Sequence, residues 1–169
     1  LQDSKLTIPA NGFVRSNQGF THGSFETIAQ FEPNSGQVIA FGGDQSTGVR
    51  YFMLTTQSTD GNLYAMVNNN SGEQLVSLGP VPAGMHHYRI EWTAVDAAND
   101  GVNYFIDGEQ KAQLTVSNAG ATNWNLYLVN SGTGTLTVDR AQVAPSYVES
   151  GVYSSNTLDA GVGAIWQTL

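Results

Sequence analysis

Apolar and polar residues alternate along the segment 87–94. Because β-strand side chains alternate between the two faces of a sheet, this pattern predicts a strand with one buried and one polar face. A second alternating segment, 102–106, follows a short polar loop and ends in Asp107-Gly108, a pair typical of a hairpin turn. The predicted inward residues of the first strand are Tyr88, Ile90 and Trp92, and its outward residues are His87, Arg89, Glu91 and Thr93.

Turn-forming residues divide the rest of the chain into similar short pieces. Clusters of Gly, Asn, Asp, Ser and Pro recur every 5–12 residues or so, a spacing typical of all-β proteins. No segment shows sustained helical periodicity with capping residues, so we expect minimal helix. The predicted strands are 5–8, 13–17, 24–32, 37–42, 50–57, 62–68, 74–78, 86–95, 102–107, 110–115, 125–129, 134–143 and 151–158.

The order of these motifs resembles a known family. A strand reading His87-Tyr-Arg-Ile-Glu-Trp92, followed by Tyr104-Phe-Ile-Asp-Gly-Glu109, is similar to the second half of a concanavalin A-like (laminin-G-like) jelly roll. The segments 23–31, 37–43, 61–67, 134–139 and 150–161 resemble other parts of such modules from secreted bacterial proteins. The resemblance implies a jelly-roll sandwich of two antiparallel sheets spanning 1–169 as one domain. Residues 145–169 are then a closing strand and a lead into a neighbouring module.

Composition and charge limit the classes of molecule that this chain can bind. Charged residues make up 12% of the 169 residues, well below the ~25% of an average soluble domain. The net charge of −8, with six scattered cations, disfavours nucleic acid and anionic membranes. The amide and hydroxyl groups of a surface rich in uncharged polar residues can bind neutral polyols. Turns also require many of these residues. We expect a secreted or cell-surface domain of a larger bacterial protein, without disulfides because the chain contains no cysteine.

Catalytic signatures are missing from the sequence. Laminarinase-type members of the family carry Glu-x-Asp-x-x-Glu on one strand, and no glutamate of this chain is followed two positions later by aspartate. Asp107 and Glu109 have that spacing in reverse, but they flank a turn glycine. We therefore predict no catalytic residues. His86 and His87 are adjacent and point to opposite faces of a strand, so they do not form a chelating pair.

A metal site stays open at this point. Many jelly rolls of the family hold a calcium ion through carboxylate and backbone oxygens. The resemblance therefore allows a structural calcium here, but no Asp-x-Asp-x-Asp spacing selects its ligands. The available carboxylates are Asp44, Asp60, Asp100 and Asp139.

Aromatic residues supply the candidate ligand site. Glycan-binding modules place Tyr or Trp faces beside hydrogen-bonding groups. The alternation of side chains along a strand, here called parity, puts Tyr51 and Tyr64 on one outer face if strands 50–57 and 62–68 form a hairpin. In the family the concave sheet or the rim loops bind the ligand, and Trp124 is either a rim platform or a core residue. The predicted ligand-binding set is Tyr51, Gln57, Tyr64, Asn68, His87, Arg89, Glu91 and Trp124.

Three functions are compatible with the sequence. The first is a non-catalytic carbohydrate-binding module that binds a polysaccharide on the concave sheet or its rim. The second is a glycanase or polysaccharide lyase with an atypical acid/base pair, such as Glu91 with Glu26, assisted by His87 or Arg89. The third is a structural spacer or adhesin domain. Exposed aromatics without a facing carboxylate pair would favour binding, and a carboxylate pair about 5–9 Å apart would favour hydrolysis.

Overall fold

Twelve β-strands make up the regular structure of the residues that the structure describes. The computed structural model describes residues 5–33, 36–42, 50–56, 59–68, 72–117 and 124–144, and these contain no helix. The predicted strand 151–158, and with it the segment 145–169, lies outside the described residues. The strands are β1 (Leu6–Ile8), β2 (Gly12–Arg15), β3 (Gly23–Gln30), β4 (Gln37–Gly42), β5 (Tyr51–Thr55), β6 (Asn62–Asn68), β7 (Glu73–Pro80), β8 (His86–Ala94), β9 (Asn99–Ile106), β10 (Glu109–Ser117), β11 (Asn125–Asn130) and β12 (Leu136–Ala144).

These strands form two antiparallel sheets of six strands each. Sheet 1 has the order β1-β12-β3-β8-β9-β10, and sheet 2 has the order β2-β11-β4-β5-β6-β7. Consecutive strands β4 to β7 pair in sequence, whereas β11 and β12 return to opposite sheets. The predicted jelly-roll sandwich is confirmed, and each of the first twelve predicted strands overlaps one observed strand.

Alternation along each strand sends one row of side chains between the sheets. Tyr88, Ile90 and Trp92 of β8 are fully buried, which confirms the predicted parity. At one end of the core, the ring centroids of Trp92 and Trp124 lie 4.9 Å apart, and Phe52 lies 4.3 Å from Trp124. Burying a side chain such as Phe52 contributes roughly 1.5–3 kcal/mol, so hydrophobic packing is the main source of stability in this disulfide-free domain.

The hairpin turns follow local chemistry. Asp107 and Gly108 both have positive φ, 52° and 83°, as the predicted two-residue turn between β9 and β10 requires. The loop between β8 and β9 is shorter than predicted. The strand was expected to begin at residue 102, but β9 already begins at Asn99. The Asp96 carboxylate accepts hydrogen bonds from the backbone N–H groups of Ala98 and Asn99 at 2.7 and 2.8 Å, so the chain reverses before Asn99.

Candidate functional site

Each sheet has one face outside the core, and the two outer faces point away from each other. We call the outer face of sheet 2 the tyrosine face. It carries Phe13, Arg15, Val38, Ala40, Gly42, Tyr51, Met53, Tyr64, Met66, Asn68, Glu73, Leu75, Tyr127 and Val129. We call the outer face of sheet 1 the polar face. It carries Ser24, Glu26, Ile28, His87, Arg89, Glu91, Asn103, Phe105, Arg140 and Gln142.

The structure divides the predicted ligand residues between these two faces. Because packed sheets lie about 10 Å apart, residues on opposite outer faces do not contact one bound sugar. The prediction of a single surface is thereby corrected: strand parity tells which residues leave the core, but not which sheet a strand joins. Tyr51, Tyr64 and Asn68 lie on the tyrosine face, whereas His87, Arg89 and Glu91 lie on the polar face. Gln57 lies outside the described residues.

Trp124 belongs to the core. Its side chain is fully buried, and its ring packs against Phe52 and Trp92 with centroid distances of 4.3 and 4.9 Å. Its backbone bridges to Phe20 just before β11 begins. A ring without solvent exposure does not stack on a sugar, so the expectation of a Trp124 rim platform is corrected. The sequence left this alternative open because asparagines flank the tryptophan on both sides.

A second apolar cluster lies beneath the surface of the tyrosine face. It consists of Val38, Ala40, Met53 and Met66, which are 4–8% exposed although they point away from the core between the sheets. The solvent side of an antiparallel sheet is ordinarily polar. Tyr51, Tyr127 and Val129 pack against this cluster and are only partly buried. The cluster therefore supports aromatic rings at the surface.

Hydrogen bonds and close packing orient two of these rings. The Tyr51 hydroxyl donates to Glu73 Oε2 at 2.7 Å. Burial first, and then this hydrogen bond, raise the pKa of Tyr51, so the hydroxyl stays a donor at neutral pH. The Tyr127 ring lies over Gly42, where an added Cβ atom would come within 3.0 Å of Tyr127 Cε2. On its other side, the Arg15 guanidinium lies 5.7 Å from the Tyr127 ring centroid.

The predicted set did not include Arg15 and Glu73 of this face, nor three of its large apolar or aromatic residues. Tyr127 alternates with the buried Leu126 and Leu128, so its parity already indicates an outward position. Phe13 and Leu75 are large apolar residues that are 67% and 50% exposed at the two edges of sheet 2. Parity alone does not distinguish them from core residues on strands whose partners are unknown.

The polar face contains paired side chains. Arg89 forms a 2.8 Å ion pair with Glu91, and its guanidinium lies 3.8 Å from the ring centroid of Phe105. His87 Nε2 lies 3.3 Å from Glu26 Oε2. Glu26 pairs with Arg89 across β3 and β8, so Glu26 and Glu91 are diagonal neighbours on one face. The carboxylate pair of the hydrolase alternative therefore shares a surface, but Glu91 is engaged by a guanidinium.

The described carboxylates and histidines do not converge on a metal site. In the part of the chain that the structure describes, no group of three or more His, Asp or Glu side chains is placed to hold a metal ion. Asp60 accepts hydrogen bonds from Asn62, and Asp100 lies 3.3 Å from His22, while Asp44 is outside the described residues. Calcium binding stays a prediction. No helix among the described residues is long and apolar enough to cross a membrane.

Several solved structures share the fold of this chain. The chain is similar to a Bacillus licheniformis β-glucanase (TM-score 0.58, 16% identity), with 84% of this chain and 78% of that chain covered. A prokaryotic β-1,3-1,4-glucanase (lichenase) from a mouse hindgut metagenome gives a TM-score of 0.61 at 14% identity, with coverages of 84% and 79%. The carbohydrate-binding module CBM66 from Bacillus subtilis gives 0.56 at 9% identity, with coverages of 85% and 88%. These matches confirm the concanavalin A-like jelly roll as the fold. No protein-family model and no curated protein sequence matches the chain.

Proposed function

We propose that the chain is a non-catalytic carbohydrate-binding module whose tyrosine face binds a polysaccharide. The observation that carries this proposal is the set of partly exposed Tyr51 and Tyr127 rings and exposed Phe13 and Leu75 side chains on a face that does not pack against the other sheet. The buried cluster of Val38, Ala40, Met53 and Met66 supports the two rings from below. Exposed apolar and aromatic surface of this kind is characteristic of an interaction site. The fold supports the choice of ligand, because solved structures with this fold include a carbohydrate-binding module and glucanases.

The chemistry of the tyrosine face suits sugar rings. A pyranose presents a flat patch of C–H groups that packs on an aromatic ring, and its hydroxyls need polar partners at the edge of that ring. Tyr51 and Tyr127 provide the rings above the apolar cluster. Glu73, Arg15 and Asn68 lie beside these rings in the neighbouring strands and provide acceptors and donors.

The shape of the apolar surface indicates a polymer rather than a single sugar. Apolar side chains continue across the sheet from Phe13 on β2 to Leu75 on β7. Five inter-strand spacings of about 4.8 Å separate these two strands, so the surface is about 24 Å long. We infer that a polysaccharide lies across the strands, with Phe13 and Leu75 contacting the outer sugar units.

The central strands of this face support binding over hydrolysis. A glycosidase requires two carboxylates flanking the scissile bond. The described outward positions of β4, β5 and β6 carry no acidic residue, and Glu73 at the edge strand accepts a hydrogen bond from Tyr51. We propose accordingly that the ligand is held without being cleaved, by a secreted or cell-surface domain of a larger protein.

Binding to immobilised or soluble polysaccharides tests the proposal. Isothermal titration with mixed-linkage β-glucan, xylan, agar and alginate should identify at least one ligand. Replacing a central aromatic anchor commonly costs ~2 kcal/mol or more, so Tyr127→Ala should weaken that binding by about thirtyfold. Arg89→Ala is the matched control on the polar face and should bind normally. Binding that is lost in Arg89→Ala but kept in a folded Tyr127→Ala variant would refute the tyrosine face.

The same samples test the rival enzymatic function. We expect no new reducing ends and no unsaturated products after prolonged incubation with these polysaccharides. Turnover that disappears in Glu91→Gln or Glu26→Gln would establish a hydrolase or lyase working on the polar face. Binding to none of the polysaccharides would favour the spacer or adhesin function.

Chain length provides a separate test of the binding mode. Phe13→Ala and Leu75→Ala should weaken binding of long oligosaccharides by about threefold to fivefold, because rim contacts contribute under ~1 kcal/mol. Neither change should alter the binding of a disaccharide, which is too short to reach both edges. An equal loss for short and long ligands would show that these residues contribute in another way than by end contacts.

A further inference from the structure

The polar face contains a depression built around a β-bulge. Val138 pairs with Ala29, both facing the core, and the next paired residue of β12 is Arg140, opposite Ile28. Regular alternation would turn Arg140 inward, opposite the buried Thr27, but the extra residue Asp139 turns it to the outer face. Thr27 is only 1% exposed, and its hydroxyl donates a hydrogen bond to the Arg140 carbonyl oxygen at 2.7 Å. This bond fixes the bulge.

Four polar side chains line this depression in a hydrogen-bonded row across three strands. Arg140 Nε donates to Gln142 Oε1 at 3.1 Å, and Gln142 Nε2 donates to Glu26 Oε2 at 3.0 Å. His87 Nε2 lies 3.3 Å from the same Glu26 oxygen. The depression has a volume of about 210 Å³, and Ile28 and Thr27 complete its lining.

We propose that this depression is a second binding site, specific for a single neutral polyol unit such as a sugar at a chain end. The row places donors (Arg140, Gln142) next to an acceptor (Glu26), the arrangement that adjacent hydroxyl groups need because each hydroxyl both donates and accepts. The volume is below the ~300 Å³ of typical ligand sites, so one sugar unit fits better than an oligosaccharide.

Two features separate this site from the tyrosine face. Among the described residues, no Phe, Tyr or Trp side chain lines the depression, so the ligand is held mainly by hydrogen bonds rather than by stacking. The row contains one carboxylate (Glu26) and one guanidinium (Arg140), whose opposite charges offset each other, and this balance fits a neutral sugar. Since the two outer faces point in opposite directions, the domain would bind a polysaccharide on one side and a sugar unit on the other.

Titration of isotope-labelled protein with methyl β-glucoside, methyl β-galactoside and methyl α-mannoside tests this site by NMR. At least one glycoside should shift the Gln142 side-chain amide and the backbone amides of Ile28 and His87 in a saturable way. Arg140→Ala and Gln142→Ala should each weaken this binding by tenfold or more, with the spectrum otherwise retained. Gln113→Ala, which changes an exposed residue elsewhere on sheet 1, is the matched control and should bind normally.

The outcomes separate this proposal from the function of the tyrosine face. Tyr127→Ala should lose polysaccharide binding but keep the glycoside shifts at Gln142. If none of the glycosides shifts these amides up to about 100 mM, or if Arg140→Ala leaves their affinity unchanged, the second site is refuted. Shifts caused only by glucuronate would overturn the assignment of a neutral ligand. Loss of polysaccharide binding alone would leave the second site standing.

Discussion

Replacement of Trp124 by alanine distinguishes a core tryptophan from a ligand platform. The indole is fully buried and contacts Phe52 and Trp92 at centroid distances of 4.3 and 4.9 Å. Truncating a buried aromatic residue to alanine costs ~3–5 kcal/mol, because apolar burial is lost and a cavity remains. We expect a loss of about 4 kcal/mol. Each kcal/mol lowers the Tm of a domain of this size by about 2–4 °C, so the Tm should fall by about 8–16 °C.

Urea unfolding followed by circular dichroism measures this change, and polysaccharide titration at low temperature measures binding by the folded fraction. Tyr127→Ala is the matched variant, with the opposite expected result: under ~2 kcal/mol of lost stability, since Tyr127 is only partly buried, and weak binding. Trp124→Ala should be unstable but should bind normally while folded. A Trp124→Ala variant that loses less than about 1 kcal/mol of stability and no longer binds polysaccharide would refute the burial of this ring.

Three further predictions concern turns, packing and pH. Gly108→Ala should lose about 1–2 kcal/mol in urea titration, because alanine is strained at a φ of +83° although no atom lies within 4 Å of the added methyl group. Gly42→Ala should instead weaken polysaccharide binding with little loss of stability, because its methyl group displaces the Tyr127 ring. The hydrogen bond between His86 and Asp107 raises the pKa of His86 and lowers that of Asp107. The stability that His86 contributes through this raised pKa is fully present below its ordinary pKa of 6.5 and is lost as the pH rises through the raised value. The Asp107 contribution is complete above its ordinary pKa of 3.8 and is lost as the pH falls through the lowered value. Asp107→Asn should therefore be most destabilising between about pH 4 and pH 6.5, by under ~1 kcal/mol for this exposed pair, and an unfolding free energy difference that does not vary with pH would contradict this.

Local pattern was sufficient to predict the strands and their buried sides. Tyr88, Ile90 and Trp92 alternate with polar residues and are all buried. Strand side chains point to one of two faces, and the face with polar side chains is the one that stays in water. The same logic placed Tyr51 and Tyr64 on one face on the condition that β5 and β6 form a hairpin, and the two strands do pair. It also predicted the Asp107-Gly108 turn, where both residues need positive φ.

The local pattern did not predict which distant strands pair with each other. Parity does not say that β8 joins sheet 1 and β5 joins sheet 2, so residues on opposite sides of the sandwich were grouped as one site. It also does not show that Trp124 packs on Trp92, 32 positions away in sequence, or that one inserted residue turns Arg140 outward. Sequence alone thus determined which residues of β5, β6 and β8 point away from the core between the sheets, since that depends on local alternation and hydration. Only the tertiary structure decided which of them share a surface, because that depends on long-range pairing of backbone hydrogen bonds.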